Sequence, residues 1–342
     1  MTTDNYTEPG TNGTDFVQRF SYRSYGGKTE PRWKRVLFMA WFEMSSTWSR
    51  STVGKVLLIL VVALNGLMIS IMLPLLGAQL GGMSEAKATI FVQETLIGTL
   101  TNYFSFSGPN PLALSDDPSN NGAINLGILG ILVIALVGIA GSGFFADDRQ
   151  GKLLEVYLSR LTREEYTAAK ILGMFLYTNL FITVPLLLLN IFQIQGFGRN
   201  HLNYLGHYLL SSATAMIISL LLALAILILS TLVEKRAYAS LGFFVFYFLT
   251  ETFGGTLFFL DPSNEFLILV SPSNYFSLLF FVMLGRTELF VREGFGSDLS
   301  PFSLTDGTGL EVIHVLGFTL LLFLALGGFL LYKIHTLTTE EI

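Results

Sequence analysis

The residues best suited to do chemistry are charged ones gathered in one short stretch. Residues 147–170 hold ten charged side chains, five of each sign, in a chain of 342 residues of which only 13% are charged. The stretch runs Asp147-Asp148-Arg149-Gln150-Gly151-Lys152-Leu153-Leu154-Glu155-Val156-Tyr157-Leu158-Ser159-Arg160, then Leu161-Thr162-Arg163-Glu164-Glu165-Tyr166 and on to Lys170. Leu153, Leu154, Tyr157, Leu158 and Leu161 fall at helical spacing on one face. Thr162 followed three residues later by Glu165 is a capping box, so a new helix starts there. A short amphipathic helix of mixed charge suits binding and force transmission: a soluble partner pushing on it moves the segments on either side as rigid bodies. The bland alternative is a solvated connector.

Other candidate chemistry is sparse. The chain has no Cys, so neither disulfides nor thiolate metal sites are possible, and its four His are scattered. Glu251 lies inside an apolar run, where a carboxylate is costly and marks a site by default. It lines a pathway, pairs with a polar group, or stays protonated; Gly254-Gly255 just beyond it could instead end the helix and leave it near water. Asn65, Asn179 and Asn190, with Gln193, read first as interhelical glue and second as pathway contacts. Gly26-Gly27-Lys28-Thr29 lacks the first glycine and the preceding strand of a phosphate loop. Asn5 and Asn12 sit in glycosylation sequons that the orientation below puts in the cytoplasm. The mild net charge of −5 gives no reason to expect a nucleic-acid partner.

The elements that must carry these residues are apolar blocks. Six are long enough to cross a hydrocarbon core of roughly 30 Å at about 1.5 Å per residue. They lie at about 56–77, 124–146, 171–194, 208–232, 238–260 and 311–333. A further stretch, 265–284, is interrupted by Ser271-Pro272-Ser273-Asn274 and reads as two half-helices that dip in and return, since Pro breaks a helix. Gly138, Ser142 and Ala146 recur every four residues and permit close helix approach, within a tight bundle or at a dimer seam. Residues 1–30 read as a disordered tail, with no cleavable signal peptide expected. The remainder, 31–342, forms one transmembrane domain. Residues 31–51 read as an amphipathic helix in the membrane interface, with Trp33, Trp41 and Trp48 as its anchors.

Lys and Arg set the orientation. Sixteen fall in residues 1–55, 147–170, 233–237 and 333–342, and four in the opposite loops. The first group is therefore cytoplasmic, both termini included. Charge alone leaves a seventh span at 265–284 open; the Pro break argues against it. The fold class is an all-α integral membrane protein with an interfacial elbow helix, six spans and a re-entrant segment before the last.

The 147–170 stretch resembles the cytoplasmic loop of ABC-2 type transporter permeases. Asp148-Arg149 supplies the charged start, Gly151, Leu153 and Glu155 the middle, Leu158-Ser159 and Thr162-Arg163 the turn, and Lys170 the end. One extra residue stands between Leu153 and Glu155, and Leu161 replaces a Pro common in members. The layout of elbow helix, six spans and broken segment is also similar to that family. The resemblance implies that Gly151, Leu153, Leu154, Glu155, Tyr157, Leu158, Arg160, Thr162 and Glu165 form a coupling helix gripped by a separate ATPase subunit. ATP and Mg would bind that partner, not this chain, which would itself be no enzyme. A second permease copy or relative would complete the pathway in the cell membrane, and the resemblance leaves the substrate open. The competing readings are a polytopic membrane enzyme and an ATP-independent secondary transporter. The first needs converging catalytic groups and the second inverted repeats with several midplane charges; neither pattern is visible.

Overall fold

The computed structural model describes residues 31–80, 89, 112–113, 127–151, 153–158, 161–184, 187–188, 191, 201–261, 264–286, 288–292, 299–304 and 309–340. Ten α-helices run among them. They are α1 (Arg32–Arg50), α2 (Thr52–Leu80), α3 (Gly127–Gly141), α4 (Gly143–Gln150), α5 (Leu154–Leu158), α6 (Arg163–Thr178), α7 (Leu205–Leu232), α8 (Arg236–Leu260), α9 (Pro272–Met283) and α10 (Val312–Glu340). Four stretches are long and apolar enough to cross a membrane: Gly130–Gln150, Leu205–Leu232, Arg236–Phe258 and Val312–Leu337. A fifth arises if α1 and the first part of α2 are taken together, but these meet at an 85° bend. Of the expected span 171–194, residues up to 178 belong to α6 and Asn179–Thr183 form a π-turn. Much of the remainder, Asn190 included, lies outside the described residues.

The helices pack through small residues and shared hydroxyls. A Cβ on Gly141 would meet Ile226 of α7 at 2.6 Å, and one on Gly138 would meet the Phe243 ring of α8 at 3.1 Å. The small residues of α3 therefore serve packing within the chain. At the break between α3 and α4, the Ser230 hydroxyl donates to the Ser142 carbonyl (2.8 Å) and accepts from the amides of Phe145 (3.1 Å) and Ala146 (3.2 Å). One side chain of α7 thus satisfies the backbone groups that a kink frees. Asn179 spans α6 and α7 by donating to Ser219 Oγ at 2.8 Å, the glue role expected of it. Asn65 lies in α2, and its side chain is outside the described set.

The interrupted stretch 265–284 forms a short 3-10 turn, Glu265–Leu269, followed by α9. With 12 residues, α9 reaches about 18 Å, short of a crossing. Ser271 caps α9 and Pro272 takes its first position, where a missing N–H costs nothing. The break is held from α8. Glu251 is buried and accepts from the Ser271 hydroxyl (3.1 Å) and the Ser273 amide (2.9 Å). Gly254 lets Ser271 come close, since a Cβ there would lie 2.4 Å from the Ser271 nitrogen. The helix does not end at Gly254-Gly255; α8 runs on to Leu260. Glu251 is therefore enclosed, and its carboxylate serves as a cap.

Three short strands depart from an all-helical reading. β1 (Leu112–Ala113), β2 (Glu288–Arg292) and β3 (Leu299–Ser303) pair antiparallel in that order, with Leu112 opposite Val291 and Glu288 opposite Ser303. Strand β1 belongs to the segment after α2 and β2 to the segment after α9, so these two connections meet at one end of the bundle.

Candidate coupling site

At the other end the charged stretch is tied to everything around it. Lys170, fully buried, sits between Glu43 of α1 (2.7 Å) and Asp148 of α4 (2.6 Å). The Tyr166 hydroxyl donates to the same Asp148 oxygen at 2.6 Å. Four rings surround the ammonium, with centroids between 5.2 Å (Tyr166) and 6.0 Å (Phe145). The core of this site is therefore one cation with two carboxylates in an aromatic cage, joining three helices distant in sequence. Burial raises the Glu43 carboxyl above its ordinary range, outweighing the opposing pull of Lys170. Burial, reinforced by the Asp148 charge, also raises the Tyr166 phenol well above its usual value, so it stays a donor.

The capping box is formed as expected: Thr162 Oγ accepts from the Glu165 amide and Glu165 accepts from the Thr162 amide. Glu165 is also buried and paired with Arg35 of α1 at 3.0 Å. It points inward and is not free to meet a partner, which corrects its expected docking role. Arg149 donates to the Thr231 carbonyl at 3.0 Å and lies 3.7 Å from Glu234 beyond α7. Arg163 meets His335 near the end of α10 at 2.9 Å. Thus α1, the 147–170 stretch, the turn at 233–235 and the end of α10 share one end of the bundle.

Of the nine expected coupling residues, Leu154 is buried, while Tyr157 and Leu158 are half-buried and pack on the core. Tyr157 stacks on Tyr166 at 5.9 Å. Leu153 precedes α5 and is 41% exposed, so it does not share the inward face assigned to it. Gly151 and Thr162 are also exposed. Glu155 lies in α5 with its side chain outside the described set, and Arg160 is not among the described residues. Val156, outside the nine expected residues, is 58% exposed on the outer side of α5.

The amphipathic helix α1 packs on the bundle by one face. Its inward face is Met39, Ala40, Glu43 and Met44, while Trp33 and Trp41 are exposed together with Phe38 and Phe42. Trp48 packs partly against the core. The exposed strip and α5 line a groove of about 1080 Å³ that includes Trp33, Phe38, Trp41, Val156 and Leu161.

No protein-family model and no curated protein matches this chain. What the site can do must be read from its own geometry. The cleft beside Glu43, Asp148 and Tyr157 holds about 80 Å³, room for a few water molecules. Among the described residues no group of three His, Asp or Glu is arranged to hold a metal. A cation sealed from solvent between two carboxylates joins the elements that carry them.

Proposed function

We propose that the chain is the membrane-embedded permease subunit of an ABC-type exporter, moving its substrate by coupling to a separate ATPase subunit. The observation that supports this best is the division of α5 into two sides. Val156, and Leu153 just before the helix, face outward, while Leu154 and Tyr157 pack on the core beside α6 and the Lys170 cluster. A push on the outer side reaches α1, α4 and α6 together, because Lys170 links all three. In this reading ATP closure of two motor subunits drives the paired α5 helices, and the bundles tilt to open outward.

The same reading has six spans, with α1 as an interfacial elbow and 265–284 as a re-entrant segment. The 85° bend between α1 and α2 and the exposed Trp33 and Trp41 support the elbow. The shortness of α9 and the pairing of β2 with β1 support a return to the same side. The termini, α5 and residues 233–235 are cytoplasmic, the membrane is the cell membrane, and a second permease copy or relative completes the pathway. ATP and Mg bind the partner subunit. Extraction in mild detergent brings down an ATPase with the wild-type chain, and Val156→Arg or charge reversal at Glu155 and Arg160 weakens that capture. A chain that captures no nucleotide-binding protein, or captures it equally well in all variants, would falsify the assignment.

A further inference from the structure

A second groove, of about 820 Å³, opens between the start of α2, the second half of α3 and the first turns of α8. Its walls include Val53, Ile134, Gly138, Leu241 and Phe244, and its only charged members are Arg50 and Arg236. Both cations lie at the end where α2 and α8 begin, beside the tied cluster. Arg236 spends one donor on the Ile139 carbonyl at 2.9 Å, which leaves most of the five that a guanidinium carries. Of the carboxylates behind the two arginines, Glu43 and Asp148 are held by Lys170, and Asp147 lies next to Arg236 at Gly143. Two guanidiniums at the mouth of an apolar slot complement a molecule with an anionic head and an apolar tail.

We infer that this groove holds one anionic phospholipid, with its phosphate on Arg50 and Arg236 and an acyl chain along Ile134, Gly138 and Phe244. Guanidinium and phosphate form short, paired, charge-assisted bonds, and the aliphatic wall takes the chain without unpaired polar groups. The site rests on the membrane reading and not on coupling to an ATPase, so it is testable on the chain alone. A bound lipid here would wedge α2 against α8, next to the joint through which α5 acts.

The test compares vesicles of phosphatidylglycerol with vesicles of phosphatidylcholine of the same acyl chains. Retained lipid is counted by native mass spectrometry after transfer to detergent. The wild-type chain keeps one phosphatidylglycerol in preference, and Arg50→Gln weakens its retention about tenfold, the scale of one charge-assisted contact. Arg50→Gln is the cleaner variant, because Arg236→Gln also breaks the bond to Ile139. Ala135→Phe, which fills the slot without touching either charge, releases the lipid as well. Lys34→Gln, on α1 outside the groove, changes nothing. Equal loss in Lys34→Gln means diffuse surface attraction and overturns the proposal. So does full displacement by inorganic phosphate, or disulfide linkage of two Ser240→Cys chains through this face in vesicles. A chain that stays in the aqueous phase would instead refute the membrane reading itself.

Discussion

At the scale of single residues, Lys170 decides the most. Removing one member of a buried ion cluster leaves the others charged and unpaired, which costs about 3–5 kcal/mol. Lys170→Met should therefore unfold the chain at markedly lower temperature, with Glu43→Gln and Asp148→Asn added to it restoring most of the loss. The measurement is the unfolding midpoint in detergent, and a mild Lys170→Met would show the cluster to be peripheral. Glu43 adds a pH signature. Its carboxyl is raised above 4.5 by burial, so the folded chain holds this proton more tightly than the unfolded one. The stability it contributes is full below that ordinary value and is lost as pH rises through the folded value. Glu43→Gln should flatten this part of the stability profile; an unchanged slope would assign it to another group.

At the scale of elements, two helix starts carry predictions. Thr162→Ala removes the side-chain half of the box that begins α6 and should cost about 1 kcal/mol. Because the same Glu165 also holds Arg35, loosening the cap should raise hydrogen exchange in α1 as well as in the first turn of α6. Exchange confined to α6 would mean that the two helices are not mechanically joined there. At the other end Glu251→Leu strips the cap from α9 and leaves the Ser273 amide and Ser271 hydroxyl unpaired, a loss of about 1–3 kcal/mol for each group. Glu251→Gln keeps an acceptor in place and should be milder. If transport is later measured and Glu251→Gln abolishes it with the fold intact, the carboxylate belongs to the pathway after all.

At the scale of the whole molecule, the absence of Cys from the sequence makes sidedness directly measurable. Single cysteines at Val156 and Glu234 should react with an impermeant thiol reagent from one side of the membrane. One at Asp261, exposed at the far end of α8, should react from the other. Labelling of all three from one side would break the arrangement in which α8 crosses. The bundle's two ends thus differ: a tied, charged end around Lys170, and an end where β1 and β2 pair.

Read alone, the sequence marks the apolar blocks, the capping box at Thr162 and Glu165, and the interruption at Ser271-Pro272. Each of these is set by local physics: hydropathy over about 20 residues, a three-residue spacing, a missing backbone donor. It did not determine what Lys170, Glu43 and Asp148 do. A Lys next to Ala169 and Ile171 signals that a partner is needed, but not that the partner lies 127 residues away. Likewise the α1 pattern marked an amphipathic helix but not which of its residues pack on α6. Its buried face carries Glu43, which pairs with Lys170 of α6, while Trp33 and Trp41 stay exposed. The Ser271 and Ser273 partners of Glu251 and the three-stranded sheet were hidden for the same reason. Their roles are fixed by contacts between segments remote in the chain, and only tertiary packing brings those together.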